Sequence, residues 1–282
     1  MAEATAPASS ANLGPGFDTL ALAIDIPCRV VAEQADAWRV SHHGLFAPVE
    51  GDDDAVLAAA QAAVGVGNPL MLDVHNEIPL GRGLGSSAAA FASGAAAALR
   101  AVGKPADPDT VFSIAADLEG HSDNVAAAVY GGLVAAVGSS AHRLEMDPGL
   151  RVVVAVPSRR LPTKWARQAL PEIIEHDAAA RSVARAIALV EAFRTADPRL
   201  FAAASGDELH EGPRGPLFPE AEDLMLAARS AGAFHACWSG AGPSILAIVP
   251  EAAVDPVVSA LSIAMGGEGS VLAPGIDHHG LV

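Results

Sequence analysis

Lysine is almost missing from this chain of 282 residues, which contains Lys104 and Lys164 and no other. Acidic residues outnumber lysine and arginine by 33 to 17, and the formal net charge is −16 at pH 7. A protein that binds nucleic acid or an anionic membrane needs a basic face, so the sequence predicts neither partner. An acidic protein can still hold a phosphate, but backbone N–H groups or single arginines must then provide the positive potential.

Cysteine, basic N-terminal residues and long apolar runs are also scarce. Cys28 and Cys237 stand far apart between apolar neighbours, which is typical of reduced core residues and not of a disulfide framework. No lysine or arginine precedes Arg29, so the start of the chain lacks the basic segment of a signal peptide. The uncharged run at residues 125–137 is too short to span a bilayer. We therefore expect a soluble, cytoplasmic protein.

Small apolar residues dominate what is present: 51% of the chain is hydrophobic, although only 4% is aromatic. This composition excludes a disordered protein and predicts a core of alanine, valine and leucine. Strand and helix patterns mix without strict alternation, which predicts an α+β fold and not a doubly wound sheet. A change in composition near residue 148 predicts two domains, residues 1–148 and residues 149–282.

Local patterns place the main elements. Runs rich in β-branched residues predict strands over residues 20–33, 69–76, 151–157, 234–238 and 244–250. A stretch without proline predicts a helix from Ser86 to Val102, and Asp107 with Pro108 predicts the start of another helix over residues 109–118. Residues 7–18, "PASSANLGPGFD", combine small residues with proline and glycine and predict a loop.

A run of glycine and serine, "PLGRGLGSSAA" at residues 79–89, leads directly into the helix that starts at Ser86. Glycines let a backbone approach a ligand, and a helix N-terminus presents N–H groups and a positive dipole. Composition alone supports a packing turn and a phosphate cradle equally. A P-loop needs Gly-Lys-Ser/Thr, a Rossmann fingerprint needs glycine at position 86, and no Gly-x-Ser-x-Gly elbow is present, so these three sites are excluded.

Two further loops share this character: residues 7–18 and "SGAGPS" at residues 239–244. Three loops rich in backbone donors are difficult to explain as linkers and favour the phosphate site. In this order and at these distances, they resemble the three motifs of the GHMP small-molecule kinases. "PASSANLGPGFD" resembles the homoserine kinases within that family, and "LEGHSDNVAAAVYGG", "PTKWARQALP" and "EGPRGPLFP" extend the resemblance over residues 7–248.

The resemblance implies an N-terminal domain like the second domain of ribosomal protein S5, a ferredoxin-like C-terminal domain and an active site between them. It implies an ATP-dependent kinase of threonine biosynthesis, which moves the γ-phosphate to the side-chain hydroxyl of L-homoserine. Mg²⁺ is then expected between the Ser87 hydroxyl and the Glu119 carboxylate. The ATP phosphates are expected over Gly83, Leu84, Gly85, Ser86 and Ser87.

The substrate side follows from the chemistry of homoserine, a zwitterion with a free hydroxyl. Its carboxylate needs a cation and its ammonium needs an acid. Arginine suits the carboxylate because its fork donates two parallel hydrogen bonds. Arg167 and Arg214 stand where the homoserine kinases carry substrate arginines, and the residue that matches Asn124 holds the hydroxyl there without a strong base. The resemblance thus implies Asn124, Arg167 and Glu119 as the catalytic residues. The other matching substrate positions are Asn12, Asp18, His121, Asp123, Thr163 and Gly240.

Several alternatives stay open. The segment from Glu119 to Asn124 is shorter than in many such relatives, in which it helps to shape the substrate pocket. A GHMP kinase for another small alcohol, or a silent member that senses nucleotide or amino acid, is therefore retained. For Asp123 we prefer a structural or ammonium-binding role over that of a proton acceptor.

Other expectations are less directly tied to the motifs. The resemblance implies a homodimer and adenine contacts around residues 54–57. The pairs His42-His43 and His278-His279 lack a supporting cluster of ligands, so we expect surface loops there and not metal sites. Cys237 and Trp238 are predicted to pack in the interior.

Overall fold

The computed structural model describes residues 1–44 and 54–282, and its N-terminal half is built on one mixed sheet. The strands of this sheet are β1 (Ala2–Ala11), β2 (Leu20–Gln34), β3 (Arg39–His43), β4 (Leu70–Asn76), β5 (Leu133–Val137) and β6 (Ser140–Leu144). Their order is β3-β4-β2-β5-β6, with β1 also paired to β2. The β3–β4 pair is parallel, and the other pairs are antiparallel.

The first strand corrects one prediction. Residues 7–11 continue β1 and do not belong to a loop, since the pairing with β2 runs from Ala2 to Ala11. Small alanine and serine side chains fit the buried interior there. Pro7 is tolerated because the pairing register shifts between Pro7 and Ala8, and a proline in a strand is normally found at such an irregularity.

The described part of this half contains the helices α1 (Ala55–Val64), α2 (Ser86–Ala101), α3 (Pro108–Glu119) and α4 (Asp123–Tyr130). The predicted helix from Ser86 is confirmed, and its alanines are buried almost completely, which lets it lie close to β1 and β2. The predicted cap of α3 is also confirmed, because the Asp107 carboxylate accepts from Thr110 N–H at 3.1 Å. The adjoining helix α1 was not predicted.

The second half contains an antiparallel sheet in the order β10-β7-β9-β8. These strands are β7 (Leu150–Pro157), β8 (His235–Trp238), β9 (Ile245–Pro250) and β10 (Gly269–Leu272). The helices are α5 (Thr163–Gln168), α6 (His176–Thr195), α7 (Pro198–Ala203), α8 (Glu211–Arg214), α9 (Ala221–Ser230) and α10 (Val254–Ala264). The α+β class is confirmed.

Both faces of the second sheet are buried, and β7 shows this by its alternation. Val152 and Val154 join the core of the first half, whereas Val153 and Ala155 face α9 and α10. The last residues then return to the first sheet, where Val282 exchanges two backbone hydrogen bonds with Thr5, at 2.9 and 3.0 Å. We keep the division into residues 1–148 and 149–282 as a proposal.

Two expectations about the interior agree with the structure. Cys28 and Cys237 are both free and buried, and Cys237 and Trp238 lie within β8. Burial raises the pKa of Cys28 to about 11 and also raises the pKa of Cys237, so neither is a reactive thiolate. Within residues 1–44 and 54–282, none of the helices is sufficiently long and apolar to cross a membrane.

Candidate active site

A cleft of about 300 Å³ opens at the N-terminus of α2, where the three glycine-rich segments meet. Residues 239–244 connect β8 to β9 and join the other two segments. Ser239 Oγ donates to the Gly83 carbonyl at 2.6 Å, and Gly240 N–H donates to the Ala11 carbonyl at 3.0 Å. Motifs that lie far apart in the sequence therefore form one wall of the cleft.

The structure brings every predicted site residue to this cleft. Its lining includes Asn12, Asp18, Gly83, Leu84, Gly85, Ser86, Ser87, Glu119, His121, Asp123, Asn124, Thr163, Arg167, Arg214 and Gly240. Both halves of the chain contribute, since Thr163, Arg167, Arg214 and Gly240 follow residue 148 and the others precede it. The cleft thus collects the predicted phosphate, metal and substrate positions in one place.

The glycine loop enters α2 through two residues with positive φ. Gly83 has φ +74° and Gly85 has φ +63°, and a Cβ on Gly83 would overlap the Ser239 carbonyl oxygen. Gly85 is the N-cap and supplies no side chain, so the N–H groups of the first turn face the cleft mouth without a side-chain cap from the described residues. Free N–H donors at the positive end of a helix of 16 residues form a site for an anion.

A hydroxyl and a carboxylate meet beside this helix end. Ser87 Oγ donates to Glu119 Oε1 at 2.7 Å, and Glu119 is the last residue of α3. Burial raises the pKa of Glu119, an effect that His121 and Ser87 offset only in part. His121 Nε2 lies 3.5 Å from the same oxygen. A largely enclosed carboxylate with a neighbouring hydroxyl is the oxygen donor set that Mg²⁺ prefers.

The start of α4 holds the next two residues, Asp123 and Asn124. Asp123 Oδ1 accepts from the Asn124 N–H at 2.7 Å and lies 3.1 Å from His121 Nδ1. Burial lowers the pKa of His121, but the hydrogen bond and charge of Asp123 outweigh it, and the pKa is raised. Asn124 Oδ1 accepts from Ser9 Oγ at 2.8 Å, which orients the amide and leaves Nδ2 as the donor. Ser9 was not predicted; its only signal was its place within the small-residue segment.

An ion pair links the two halves across the cleft. Arg167 in α5 donates to both oxygens of Asp18, with Nη1–Oδ2 at 3.1 Å and Nη2–Oδ1 at 3.0 Å. Both side chains are 39% exposed, so this pair lies at the open end of the site. Asn12 accepts from the Asp18 backbone N–H at 3.0 Å and donates to the Gly240 carbonyl at 2.9 Å. Asn12 therefore fixes the turn that presents Asp18.

Arg214, in contrast, is held from several sides and is only 2% exposed. Its Nε donates to the Ala166 carbonyl at 3.2 Å, and its Nη1 lies 3.1 Å from the Gly240 carbonyl and 3.0 Å from His210 Nδ1. Burial, with the charge of Arg167, lowers the pKa of Arg214 to about 10. Within the described part of the chain, Nη2 makes no protein hydrogen bond, so it is the donor that remains for a ligand.

Comparison with known proteins supports this arrangement of motifs. The model of the GHMP kinases N-terminal domain matches residues 54–132, and that of the C-terminal domain matches residues 189–267. A homoserine kinase of Moorella thermoacetica is 36% identical over 288 residues, which covers 98% of this chain and 97% of that protein. The chain belongs to the GHMP kinase family. A homoserine kinase of Thermus thermophilus is 40% identical, with 96% and 94% of the two chains covered.

Solved structures of small-molecule kinases agree with the fold. The crystal structure of homoserine kinase from Cytophaga hutchinsonii matches with a TM-score of 0.88 at 26% identity, over 100% of this chain and 96% of that one. A mevalonate kinase structure matches with a TM-score of 0.73 at 13% identity, over 99% and 100% of the two chains, which shows the shared fold alone. The predicted GHMP kinase fold is thus confirmed.

The prediction of a surface loop at His42 and His43 was wrong, because both belong to β3. His42 lines the cleft, and its Nε2 lies 2.6 Å from Asp54 Oδ2. Asp54 also caps α1, where its carboxylate accepts from Leu57 N–H at 3.0 Å. The stretch over residues 54–57, expected at the adenine, therefore reaches this GHMP kinase cleft through Asp54 and Val56.

Glu211 leads to a prediction on stability. Its carboxylate accepts from the Trp238 N–H at 2.8 Å, and burial raises its pKa to about 7. The charged form is therefore disfavoured in the folded state, and this penalty grows as pH rises from about 4.3, the unfolded pKa, through 7. We expect Glu211→Gln, which keeps the acceptor oxygen, to raise the free energy of unfolding by about 3 kcal/mol at pH 8 and by only about 1 kcal/mol at pH 5.

Denaturant unfolding at both pH values tests this expectation. Glu172→Gln is the matched control, because Glu172 is exposed. An equal effect of Glu211→Gln at pH 5 and pH 8 would show that the buried charge is not its cause.

Proposed function

We propose that this GHMP kinase is an ATP-dependent homoserine kinase, which converts L-homoserine to O-phospho-L-homoserine. One observation carries the proposal: the Asp18–Arg167 ion pair lies in the same cleft as the anion site of α2 and the Ser87–Glu119 pair. The positive charge of Arg167 also acts on Glu119, where it offsets part of the rise in pKa that burial causes. We call the ammonium and carboxylate of the substrate its head group. The side of the cleft that would bind this head group and the side that would bind the phosphates are thus within reach of one small molecule.

The phosphate side is served by the backbone of residues 83–87. Phosphoryl transfer proceeds through a loose transition state, so positioning and charge neutralisation provide most of the catalysis. Preorganised N–H groups at the start of α2 stabilise the negative charge without moving during the reaction. An acidic chain with a net charge of −16 depends on such local donors to hold a nucleotide.

Mg²⁺ fits the donor set at Ser87 and Glu119. The hydroxyl and carboxylate oxygens are 2.7 Å apart, and the raised pKa of Glu119 reflects an enclosed charge that a cation would stabilise. Ser87 and Glu119 would hold the ion. When bound, Mg²⁺ supplies charge neutralisation at the phosphates.

The ion pair at the mouth of the cleft is complementary to a zwitterion. Asp18 can bind the substrate ammonium, and Arg167 can bind the substrate carboxylate. Replacing the exposed Asp18–Arg167 contact with these two contacts costs little, because exposed pairs contribute only about 0–1 kcal/mol. Arg214 Nη2 supplies a second donor to the carboxylate from the buried side.

Asn124 holds the acceptor hydroxyl of homoserine, and no strong base is required to remove its proton. Asn124 Nδ2 donates to the acceptor oxygen, while Ser9 fixes the amide orientation. The homoserine hydroxyl oxygen attacks the γ-phosphorus as the bond from that phosphorus to the bridging oxygen of the leaving ADP breaks. The hydroxyl proton passes to an oxygen of the transferred phosphoryl group as the new bond forms. Asp123 is committed to the start of α4 and to His121, so we assign it a structural role. No lysine lines the described cleft.

ADP release, measured with ATP and Mg²⁺ over homoserine, threonine, serine and mevalonate, tests the proposal. Turnover on homoserine, far above the other three, is the expected result. Turnover on another alcohol would keep the phosphate site but reassign the head-group pocket and overturn the homoserine proposal. Nucleotide binding without turnover on any of the four would favour a sensor.

Arg214→Lys is expected to raise the KM for homoserine by about tenfold or more, with little change in the KM for ATP. A lysine cannot reach both the Ala166 and Gly240 carbonyls, and each unsatisfied buried group costs about 1–3 kcal/mol. Steady-state kinetics with each substrate varied in turn measures the split. Arg199→Lys, at a side chain that is 90% exposed, is the control. Equal changes in both KM values would remove Arg214 from the head-group site.

We also propose a homodimer. Val183 and Ile187 in α6 lie one helical turn apart and are 61% and 66% exposed, so they offer a small apolar surface that a second copy of the chain could cover. Sedimentation equilibrium with Val183→Glu as the disrupting variant tests it, and a monomeric unmodified chain would contradict it.

A further inference from the structure

Two histidines and an aspartate form a cluster on the face of the first sheet that lies opposite the cleft. In β4, Leu72, Val74 and Asn76 point inward, whereas Asp73 and His75 alternate with them and face solvent. In β3, His43 is the register partner of His75 across the parallel pair. Three side chains with metal-ligating atoms therefore share one outer surface, at a place that the proposed kinase site does not use.

The three side chains converge on one point. His43 Nε2 lies 2.6 Å from Asp73 Oδ1, and His75 Nε2 lies 3.6 Å from Asp73 Oδ2. One ligand atom from each residue falls within 4.8 Å of the other two. The imidazole rings stack with centroids 4.9 Å apart and planes 20° apart, so both rings present the same edge to the carboxylate.

The contact between His43 and Asp73 is not a well-formed hydrogen bond. Asp73 Oδ1 is shielded from solvent and accepts no hydrogen bond from the described residues, although His43 Nε2 is so near. A metal ion requires ligand atoms whose lone pairs point to one common position, whereas a hydrogen bond requires a proton between two atoms. We propose that His43, Asp73 and His75 form a binding site for a transition-metal dication such as Zn²⁺.

The chemistry of the donors selects the class of metal. Two imidazole nitrogens with one carboxylate suit Zn²⁺, Cu²⁺ or Ni²⁺, whereas Mg²⁺ prefers an all-oxygen set such as Ser87 with Glu119. The three side chains are about half exposed, which leaves room for water to complete the coordination. The strongly negative net charge of the chain also favours a bound dication.

A metal at this site would cross-link β3 to β4. The same strands present His42, Val74 and Asn76 to the cleft, and Asn76 holds Ser86 at the start of α2 by a hydrogen bond of 3.1 Å. The bound ion would therefore stabilise the edge of the sheet that supports the phosphate site. Its direct effect is on the stability of this edge.

Zinc chloride titrated by calorimetry into the untagged protein, with millimolar Mg²⁺ present to occupy the cleft, tests the site. His43→Ala and His75→Ala are each expected to weaken Zn²⁺ binding by about tenfold or more, since loss of even an outer-shell partner costs about 10–100-fold. The double variant His278→Ala/His279→Ala is the matched control, because it removes the other adjacent histidine pair. Zn²⁺ should raise the Tm of the unmodified chain and of this control only.

The Tm values and Zn²⁺ affinities of the variants distinguish this site from other positions for the ion. The metal-free Tm of both single variants should equal that of the unmodified chain, because the side chains are exposed. Equal Zn²⁺ affinity in the unmodified chain, His43→Ala and His75→Ala would overturn the proposal and place the ion elsewhere, with the Glu119–His121 region tested next by His121→Ala. Loss of binding in the His278/His279 variant alone would overturn it equally.

A second inference rests on different residues and depends on the proposed function. His210 is fully buried between the head-group arginine and the opening segment, and its ring stacks on Phe17 at 5.2 Å. Nδ1 lies 3.0 Å from Arg214 Nη1, and Nε2 lies 2.8 Å from the Gly14 carbonyl. Because arginine only donates and a carbonyl only accepts, the ring must be neutral with its proton on Nε2.

We infer that His210 is a positioning residue for Arg214. Its Nδ1 and the Gly240 carbonyl together hold Nη1, which leaves Nη2 as the guanidinium nitrogen without a hydrogen-bond partner among the described residues. Its Nε2–H anchors the same unit to Gly14, on the segment that leads to Asp18. The single ring thereby fixes the distance between the predicted binders of the carboxylate and the ammonium.

His210→Leu is expected to raise the KM for homoserine by about tenfold while kcat and the KM for ATP change less than about threefold. His210→Asn, whose Oδ1 can replace Nδ1 as acceptor, should restore most of the affinity. A merely structural role would lower kcat and stability together in both variants without rescue by asparagine, and that result would overturn the inference.

A nitrogen-15 NMR spectrum of the imidazoles separates this inference from the proposed function. A neutral Nε2–H tautomer for His210 is expected whichever alcohol the enzyme uses, and a protonated ring or the Nδ1–H tautomer at pH 7 would overturn the geometry. If the unmodified chain fails on homoserine but phosphorylates another alcohol, the KM comparison is made with that alcohol.

Discussion

Glu119→Gln is expected to lower kcat by about 100-fold or more, since removal of one electrostatic stabiliser of a transition state costs about that much. Glutamine has the same shape and keeps an oxygen for the Ser87 hydroxyl, which lies 2.7 Å away. It lacks the charge that would hold Mg²⁺. Because burial already penalises that charge in the folded protein, the Tm should stay equal or rise.

Steady-state turnover with varied Mg²⁺, alongside thermal unfolding, measures both effects. Asp117→Asn is the matched control: Asp117 lies on the same helix two residues earlier, but it is exposed. A drop in kcat with a stable fold assigns the loss to the site itself. If Glu119→Gln turns over within about threefold of the unmodified enzyme, the carboxylate does not hold the metal.

The glycine loop and its helix could be predicted because their chemistry is local. Positive φ at Gly83 and Gly85, and the helix that follows, depend on the residues of that segment alone. The start of α3 at Asp107 and Pro108 could also be predicted from the sequence, because an N-cap and a first-turn proline act within one helical turn. The resemblance to the kinase family identified site residues that lie far apart in the sequence, and the structure places them in one cleft.

What the sequence could not provide depends on contacts between distant segments. Residues 7–11 look like a loop, yet they form a strand because β2 offers them a partner along its whole length. Ser9 contacts Asn124 across 115 residues of the chain, and His210 contacts the Gly14 carbonyl across 196 residues; neither has a distinctive local pattern. The start of α1 was missed although Asp54 is an N-cap acid, a signal that was available.

The short segment between Glu119 and Asn124 has a defined structure. Gly120 ends α3 in the left-handed conformation, and α4 begins at Asp123, so two further residues complete the connection. This tight link sets His121 between Glu119 and Asp123, 3.5 and 3.1 Å from their oxygens. The short segment therefore builds a compact wall of the cleft and does not leave a gap there.

Gly85→Ala should reduce kcat/KM by about 100-fold and the free energy of unfolding by about 3 kcal/mol, the sum of backbone strain and overpacking. Gly85 has φ +63°, and a Cβ there would overlap the Ser9 hydroxyl and lie 3.0 Å from Asn124 Oδ1. The added methyl group would thus displace Ser9 and with it the amide that orients the acceptor hydroxyl. It would also shift the N–H groups at the start of α2.

Gly103→Ala separates the two contributions. Gly103 also has a positive φ, +74°, but a Cβ there meets no atom within 4 Å among the described residues. It should lose only the strain, about 1 kcal/mol, and keep full activity. Equal losses of stability in the two variants, with activity retained in Gly85→Ala, would mean that the cleft tolerates the methyl group. The contact between Ser9 and Asn124 would then have no part in positioning the substrate, and the hydroxyl would need another holder.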